Sequence, residues 1–156
     1  MNNEDLFRYN NKYFGEIWVS EYLMEKLPAL KKPNTTKYDL IYNERKIETK
    51  AARVRNHDKI DEYHNYKPMK FDEEGLWMIS FNRIKGYADT FIFIVIWLDK
   101  IKYFILSKDE VFNFVHRTEK QGRGSPGEFL IQISNTTFKD LEPYEISLSE
   151  LRNIYK

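Results

Sequence analysis

The sequence predicts a mixed α/β (α+β) domain in which a central mixed β-sheet is flanked by helices. Two observations support this class. Segments with the apolar spacing of helices lie near both ends of the chain, and segments rich in β-branched and aromatic residues lie between them. We expect residues 1–156 to form a single domain, because no internal repeat, low-complexity tract or Pro/Gly/Ser-rich linker divides them.

The first elements are a helix and a β-hairpin. Apolar residues recur at helical spacing from about Glu4 to Leu27, and Pro28 ends the pattern. The stretch YDLIYNERKIETKAARVR (38–55) predicts two short strands around a turn at Asn43–Glu44. The polar segment NHDKIDEYHNYK (56–67) is compatible with one short helix or with a loop.

The later elements are strands and two capped helices. Capping-box spacing predicts that one helix begins after Ser107 and another after Ser147. The segment GRGSPG (122–127) is predicted to be a loop. Segments rich in β-branched and aromatic residues predict strands at Leu76–Phe81, Thr90–Leu98, Ile101–Ser107 and 128–134.

The composition excludes several classes of protein. There is no cysteine, so a disulfide framework, a zinc ribbon and a thiol nucleophile are excluded. No G-x-G-x-x-G, Walker or G-x-S-x-G motif supports a nucleotide cofactor or a serine hydrolase. The apolar run FIFIVIWL (91–98) is too short for a membrane span, and MNNEDLFRYN lacks signal-peptide features. We therefore expect a cytoplasmic protein without a membrane partner.

The formal net charge of +1 does not decide whether the protein binds nucleic acid. Acidic catalytic residues and a local basic surface can cancel, so the charges must be interpreted by position. The three histidines do not form a site in this interpretation. His57 lacks the further ligands of an HD phosphohydrolase, His64 lacks an HNH hairpin, and His116 lies in a Phe-rich helical segment.

The predicted hairpin brings three charged residues together. A two-residue turn at Asn43–Glu44 places Asp39 directly opposite Glu48, with Cβ atoms roughly 5 Å apart. Lys50 follows Glu48 by two residues, so its side chain lies on the same face. Such a face is either a solvated surface with an ordinary Glu–Lys contact, worth a few tenths of a kcal/mol, or a functional site.

The chemistry of these side chains favours a site. Two facing carboxylates repel each other and destabilise a sheet, and a divalent cation relieves the repulsion. Mg²⁺ prefers hard oxygen ligands and binds one or two carboxylates together with water and phosphate oxygens. An adjacent ammonium group can hold a scissile phosphate and activate water. Asp39, Glu48 and Lys50 together are therefore typical of phosphodiester hydrolysis.

The pattern of Asp39, eight intervening residues and Glu48-Thr49-Lys50 resembles the motif of the PD-(D/E)XK nuclease superfamily, which includes most type II restriction endonucleases. Tyr38 replaces the proline that names the motif. The resemblance implies a restriction-endonuclease-like fold, with Asp39 and Glu48 as catalytic Mg²⁺ ligands and Lys50 as a catalytic lysine. It implies that Mn²⁺ can replace Mg²⁺, and that Glu16, on the upstream helix, assists catalysis.

The expected function is therefore Mg²⁺-dependent endonuclease cleavage of double-stranded DNA, as in a type II site-specific restriction enzyme. One chain carries one active site, so cutting both strands suggests a homodimer. A structure-directed nuclease, such as a junction resolvase or a phage or repair enzyme, is one alternative. A non-catalytic DNA-binding module on the same fold is another.

Basic residues near the motif are candidate DNA contacts. Arg53, Arg55 and Lys59 follow Lys50 closely, where they would neutralise phosphates and position a duplex. Gln121 and Arg123 lie on the predicted loop near residue 122, where they could read adenine and guanine. A plain surface turn is the alternative interpretation of that loop.

Overall fold

The computed structural model describes Phe7 and residues 16–114, 117–118 and 128–156. Two short 3-10 helices span Phe138–Asp140 and Glu142–Tyr144. The helices are α1 (Glu16–Lys26), α2 (Lys108–Phe112) and α3 (Leu148–Ile154). The strands are β1 (Leu40–Tyr42), β2 (Arg45–Arg53), β3 (Arg55–Ile60), β4 (Tyr66–Pro68), β5 (Met78–Lys85), β6 (Thr90–Ile96), β7 (Ile101–Ser107), β8 (Arg117–Thr118), β9 (Glu128–Ser134) and β10 (Glu145–Ile146).

The central sheet has five strands in the order β1-β2-β6-β7-β10. Strands β2 and β6 run parallel, from Ile47 opposite Thr90 to Arg53 opposite Ile96, and the other neighbours are antiparallel. The predicted class, a mixed α/β domain with a central mixed sheet, is confirmed. The helices predicted after Ser107 and Ser147 are also confirmed, with each serine accepting a hydrogen bond from the backbone three residues later.

The two faces of the central sheet are covered by different elements. Helices α1 and α3 pack on one face, where Leu23 and Leu151 are buried against Ile92 and Ile94 of β6. A second sheet, in the order β5-β9-β8, covers the other face. Its Phe81 stacks on Phe93 of β6 with 4.5 Å between ring centroids. Helix α2 lies on the same side as the second sheet, because its Val111 is buried in the cluster with Phe81 and Phe93. Helices thus lie on both sides of the central sheet, and burial of β6 on both faces explains its continuous apolar run.

The polar segment that follows β2 is a β-hairpin, not a helix or an irregular loop. Strands β3 and β4 form it, and they belong to neither larger sheet. Asp61 organises the turn, because one carboxylate oxygen accepts the backbone N–H groups of Tyr63 and Asn65 at 2.8 and 2.9 Å. Hydrogen bonds in the turn therefore stabilise a hairpin whose sequence lacks the apolar pattern that normally identifies strands.

Among the described residues, no helix is long and apolar enough to cross a membrane.

A buried asparagine fixes the base of this hairpin. Asn56 is fully buried, and its Nδ2 donates to Glu73 Oε2 at 2.7 Å and to the Glu74 carbonyl at 3.1 Å. Its Oδ1 accepts the backbone N–H of Asp58 at 2.9 Å. Gly75 lies against this carboxamide with a φ of +151°, a conformation that favours glycine.

Replacing Gly75 with alanine should therefore destabilise the fold. The new Cβ would overlap the Asn56 carboxamide, which cannot move without losing its hydrogen bonds. We expect urea denaturation to show a loss of about 2 kcal/mol in the free energy of unfolding. Gly86→Ala is the matched control, because its Cβ would meet Phe112 at an ordinary 3.9 Å. If both variants are equally stable, the Asn56–Gly75 packing is not a constraint.

Candidate active site

The register of the β1–β2 hairpin is the one predicted. Leu40 pairs with Ile47 and Ile41 with Lys46. Asn43 and Glu44 have φ values of 44° and 69°, as a two-residue type I′ turn requires. The chain enters β1 through Asp39, whose backbone N–H donates to the Ile47 carbonyl at 3.0 Å. The local turn thus fixes Asp39 beside the next residues of β2.

Asp39 is held in place by Thr49, the middle residue of the motif. One carboxylate oxygen of Asp39 accepts the Thr49 backbone N–H at 2.8 Å and the Thr49 hydroxyl at 3.3 Å. Strand β1 begins only at Leu40, so the Asp39 side chain takes the place of a strand partner for this N–H group. The hydrogen bonds orient the carboxylate toward β2.

Glu48 is a buried carboxyl group in contact with Asp39. It is 1% exposed, and Oε2 accepts the backbone N–H of Lys85 from β5 at 2.8 Å. Burial, followed by the hydrogen bond and charge of Asp39, raises the pKa of Glu48 to about 9. The Lys85 N–H and the charge of Lys50 act in the opposite direction without offsetting these effects. In the metal-free protein the Glu48 carboxyl group is therefore protonated at neutral pH.

Lys50 lies on the same face of β2 as Glu48 and completes the predicted group. It lines a cleft of about 670 Å³ between β2 and β5, which we call the β2–β5 cleft. Asp39 lines a smaller pocket of about 210 Å³ together with Lys85 and Ser20 of α1. The residues lining the β2–β5 cleft are Val19, Thr49, Lys50, Ala51, Ala52, Arg53, Arg55 and Met78 to Arg83.

The predicted DNA contacts are placed differently from one another. Arg53 and Arg55 line the β2–β5 cleft beside Lys50. Arg55 also donates to the carbonyls of Tyr66 at 3.0 Å and Phe7 at 3.1 Å, so it joins separate chain segments. Lys59 does not line the cleft, and its Nζ lies 3.7 Å from a carboxylate oxygen of Glu73.

Three predicted site residues are not located by their side chains. Glu16 is the first residue of α1, but its side chain lies outside the part of the chain that the structure describes. Gln121 and Arg123 also lie outside the described residues. The fold thus brings Asp39, Glu48 and Lys50 together, and it places Arg53 and Arg55 at the same cleft as Lys50.

The carboxyl pair fits a divalent cation by its chemistry. Within the described ranges no group of three or more His, Asp or Glu side chains could hold a metal ion. Asp39 and Glu48 offer two carboxylates. That set matches Mg²⁺, which binds one or two carboxylates and completes its shell with water and phosphate oxygens. Each carboxylate is oriented by a backbone N–H, from Thr49 and from Lys85. Such supporting hydrogen bonds are typical of metal ligands.

Two contributors to the site were missed from the sequence. The role of Thr49 could have been found from the sequence, because Thr49 lies on β2 between Glu48 and Lys50, where the shorter strand β1 ends. No sequence feature indicates the role of Lys85, since its backbone N–H reaches Glu48 only through packing of β5 on β2. The two residues are 37 positions apart.

No family model matches the chain, and comparisons with curated proteins and with solved structures find no significant match. No related protein therefore supplies a function for it. The arrangement of Asp39, Glu48 and Lys50 is the basis on which function is proposed.

The raised pKa of Glu48 makes the stability of the metal-free protein depend on pH. The carboxyl group keeps its proton up to about pH 9 in the fold but has a pKa of 4.5 without the fold. Its contribution to stability is complete below that lower value and is lost as pH rises to about 9. Glu48→Gln, which is neutral at every pH and similar in shape, should lack this loss.

The measurement is urea denaturation in EDTA at about pH 6 and about pH 9. The free energy of unfolding should fall between them by at least about 1 kcal/mol more in wild type than in Glu48→Gln. An equal fall in the two proteins would contradict a Glu48 carboxyl group that is buried in its protonated form.

Proposed function

We propose that this protein is a Mg²⁺-dependent endonuclease of the PD-(D/E)XK type that hydrolyses phosphodiester bonds in double-stranded DNA. One observation carries the proposal. The Asp39 and Glu48 carboxyl groups are hydrogen-bonded to each other on a β-hairpin, with Lys50 on the same face and at a cleft. The restriction-endonuclease-like fold and a type II, homodimeric enzyme belong to the same proposal.

The carboxyl pair is costly if it is only structural. Burying Glu48 against a second carboxylate disfavours ionisation of Glu48. Replacing buried charged groups with apolar residues often makes a protein more stable. The Lys85 backbone N–H nevertheless points at Glu48 and favours its charged form, and the Thr49 backbone N–H points at Asp39. A bound cation would stabilise the charged form of Glu48, which the metal-free site disfavours. Perturbed pKa values of this kind are concentrated at functional sites.

Each residue has a definite task in the proposed reaction. Asp39 and Glu48 would hold Mg²⁺, with Thr49 and Lys85 keeping the two carboxylates in position. When bound, Mg²⁺ lowers the pKa of a coordinated water and neutralises charge on the phosphate. Lys50 donates hydrogen bonds to a phosphate oxygen and orients the attacking water. The water loses a proton to solvent and attacks phosphorus in line, while the P–O3′ bond breaks and the leaving 3′-oxygen takes up a proton from solvent. The products are the 5′-phosphate and 3′-hydroxyl ends that the family resemblance implies.

The β2–β5 cleft supplies the electrostatic setting for a nucleic acid. Lys50, Arg53, Arg55 and Arg83 line it, and none of its described lining residues is acidic. The whole chain has a formal net charge of only +1, so this concentration of cations is local. Cationic side chains that face phosphates supply affinity that does not depend on sequence.

Lys50→Ala should abolish cleavage without abolishing binding. Loss of an ammonium group that acts on the transition state should lower the single-turnover cleavage rate by more than about 100-fold. DNA affinity, measured by fluorescence anisotropy in EDTA, should fall by no more than about tenfold, because Lys50 is one of four cations at the cleft. Lys46→Ala is a matched control, because Lys46 is exposed on the same strand and face but does not line the β2–β5 cleft.

The substrates should include plasmid DNA of mixed sequence and a four-way junction, each with Mg²⁺ and with EDTA. Discrete plasmid fragments support a site-specific enzyme, whereas preference for the junction supports a structure-directed nuclease. A Lys50→Ala rate within about tenfold of wild type would remove Lys50 from the mechanism. Absence of Mg²⁺-dependent cleavage of either substrate would overturn the proposed activity.

A further inference from the structure

Strand β5 contains a β-bulge where it passes the proposed active site. Phe81 pairs with Ile131 and Ile84 pairs with Phe129 on β9. Two residues of β5, Asn82 and Arg83, therefore lie opposite a single residue of β9. Bulges of this kind bend a strand and redirect its side chains, and they are over-represented beside active sites.

The bulge changes which residues of β5 face the core. A regular strand alternates its side chains, so Phe81 and Ile84 would lie on opposite faces. Here both are buried, at 1% and 0% exposure, and the two residues between them are exposed. Asn82 and Arg83 consequently both line the β2–β5 cleft. The bulge thus adds a second polar side chain to the wall that faces β2.

Arg83 adopts a backbone conformation that its residue type disfavours. Its φ is 52°, in the left-handed region that glycine and asparagine enter readily. Glycine is the usual residue for such a conformation in a bulge. An arginine here costs stability that either of those residues would avoid, and such conformations are concentrated at functional sites. The Arg83 side chain lines the β2–β5 cleft, where a guanidinium group can meet the phosphates of a bound strand.

We propose that Arg83 is a phosphate-binding residue that holds the DNA backbone beside the scissile phosphate. This inference rests on the proposed nuclease function and adds to it a second wall of the substrate channel. Lys50 and Arg53 lie on the β2 wall and Arg83 on the β5 wall, and no described lining residue is acidic. A planar guanidinium with several donors suits a phosphate group. A strand between the walls would therefore meet cations on both sides.

The backbone conformation provides variants that separate binding from folding. Asn is compatible with a positive φ, so Arg83→Asn removes the charge and relieves the strain. Arg83→Lys keeps both the charge and the strain. Lys139→Gln is a control for loss of one positive charge, because Lys139 is exposed and does not line the cleft. Urea denaturation of each variant should show a single cooperative transition, so that all of them are folded under the conditions of the binding assay.

The decisive readout is binding of a fluorescent DNA duplex in EDTA at several salt concentrations. We expect Arg83→Asn to weaken binding by about fivefold or more and to reduce the slope of log affinity against log salt by about 1. Arg83→Lys and Lys139→Gln should stay within about threefold of wild type. An Arg83→Asn variant with unchanged affinity and unchanged salt slope would overturn the assignment.

The two proposals fail in distinguishable ways. If wild type cleaves DNA with Mg²⁺ and Arg83→Asn binds normally, the nuclease stands and the role of Arg83 is overturned. If wild type binds DNA without cleaving it, and Arg83→Asn weakens that binding, the catalytic proposal fails and the binding role stands. If wild type does not bind DNA, both are overturned.

Discussion

Strand β2 determines the geometry of the whole candidate site, because its two edges are paired over different lengths. Parallel pairing with β6 extends from Ile47 to Arg53, whereas the ladder with β1 ends at Leu40 opposite Ile47. At the point where the shorter ladder ends, the Asp39 carboxylate accepts the Thr49 N–H group. Glu48 and Lys50 then project from the same face of β2 toward the second sheet. A rigid central strand with a partly unpaired edge is suited to holding reactive groups with little freedom.

The second sheet buries Glu48 and so raises the pKa of its carboxyl group. Its packing on β6, through contacts such as Phe81 on Phe93, excludes water from Glu48 and brings the Lys85 N–H to that carboxylate. The bulge before Lys85 also redirects Arg83 into the β2–β5 cleft. Burial of Glu48 and the cations of the cleft thus both follow from the way β5 packs. In the metal-free protein this arrangement has a cost in stability, which ligand binding can offset.

Local chemistry decided how much of this could be predicted from the sequence. The hairpin register and the grouping of Asp39, Glu48 and Lys50 were predictable, because a two-residue turn and strand alternation fix them within twelve residues (39–50). The hairpin of β3 and β4 was not, since its turn depends on Asp61 hydrogen bonds and lacks an apolar pattern. The cover provided by β5 and β9 depends on pairing between distant segments. Nothing in the sequence indicates the bulge, because Arg83 occupies the left-handed position where a glycine is usual.

The most direct measurement is thermal melting of wild type and Asp39→Asn, each in EDTA and in several concentrations of Mg²⁺. Asparagine keeps an oxygen that can accept the Thr49 N–H, but it removes one charge of the carboxyl pair. In EDTA the variant should therefore melt at the same temperature as wild type or above it. Mg²⁺ should raise the melting temperature of wild type, and raise that of the variant less, because the variant lacks a ligand. A variant that is strongly destabilised in EDTA and responds to Mg²⁺ as wild type does would make Asp39 a structural residue and contradict the metal site.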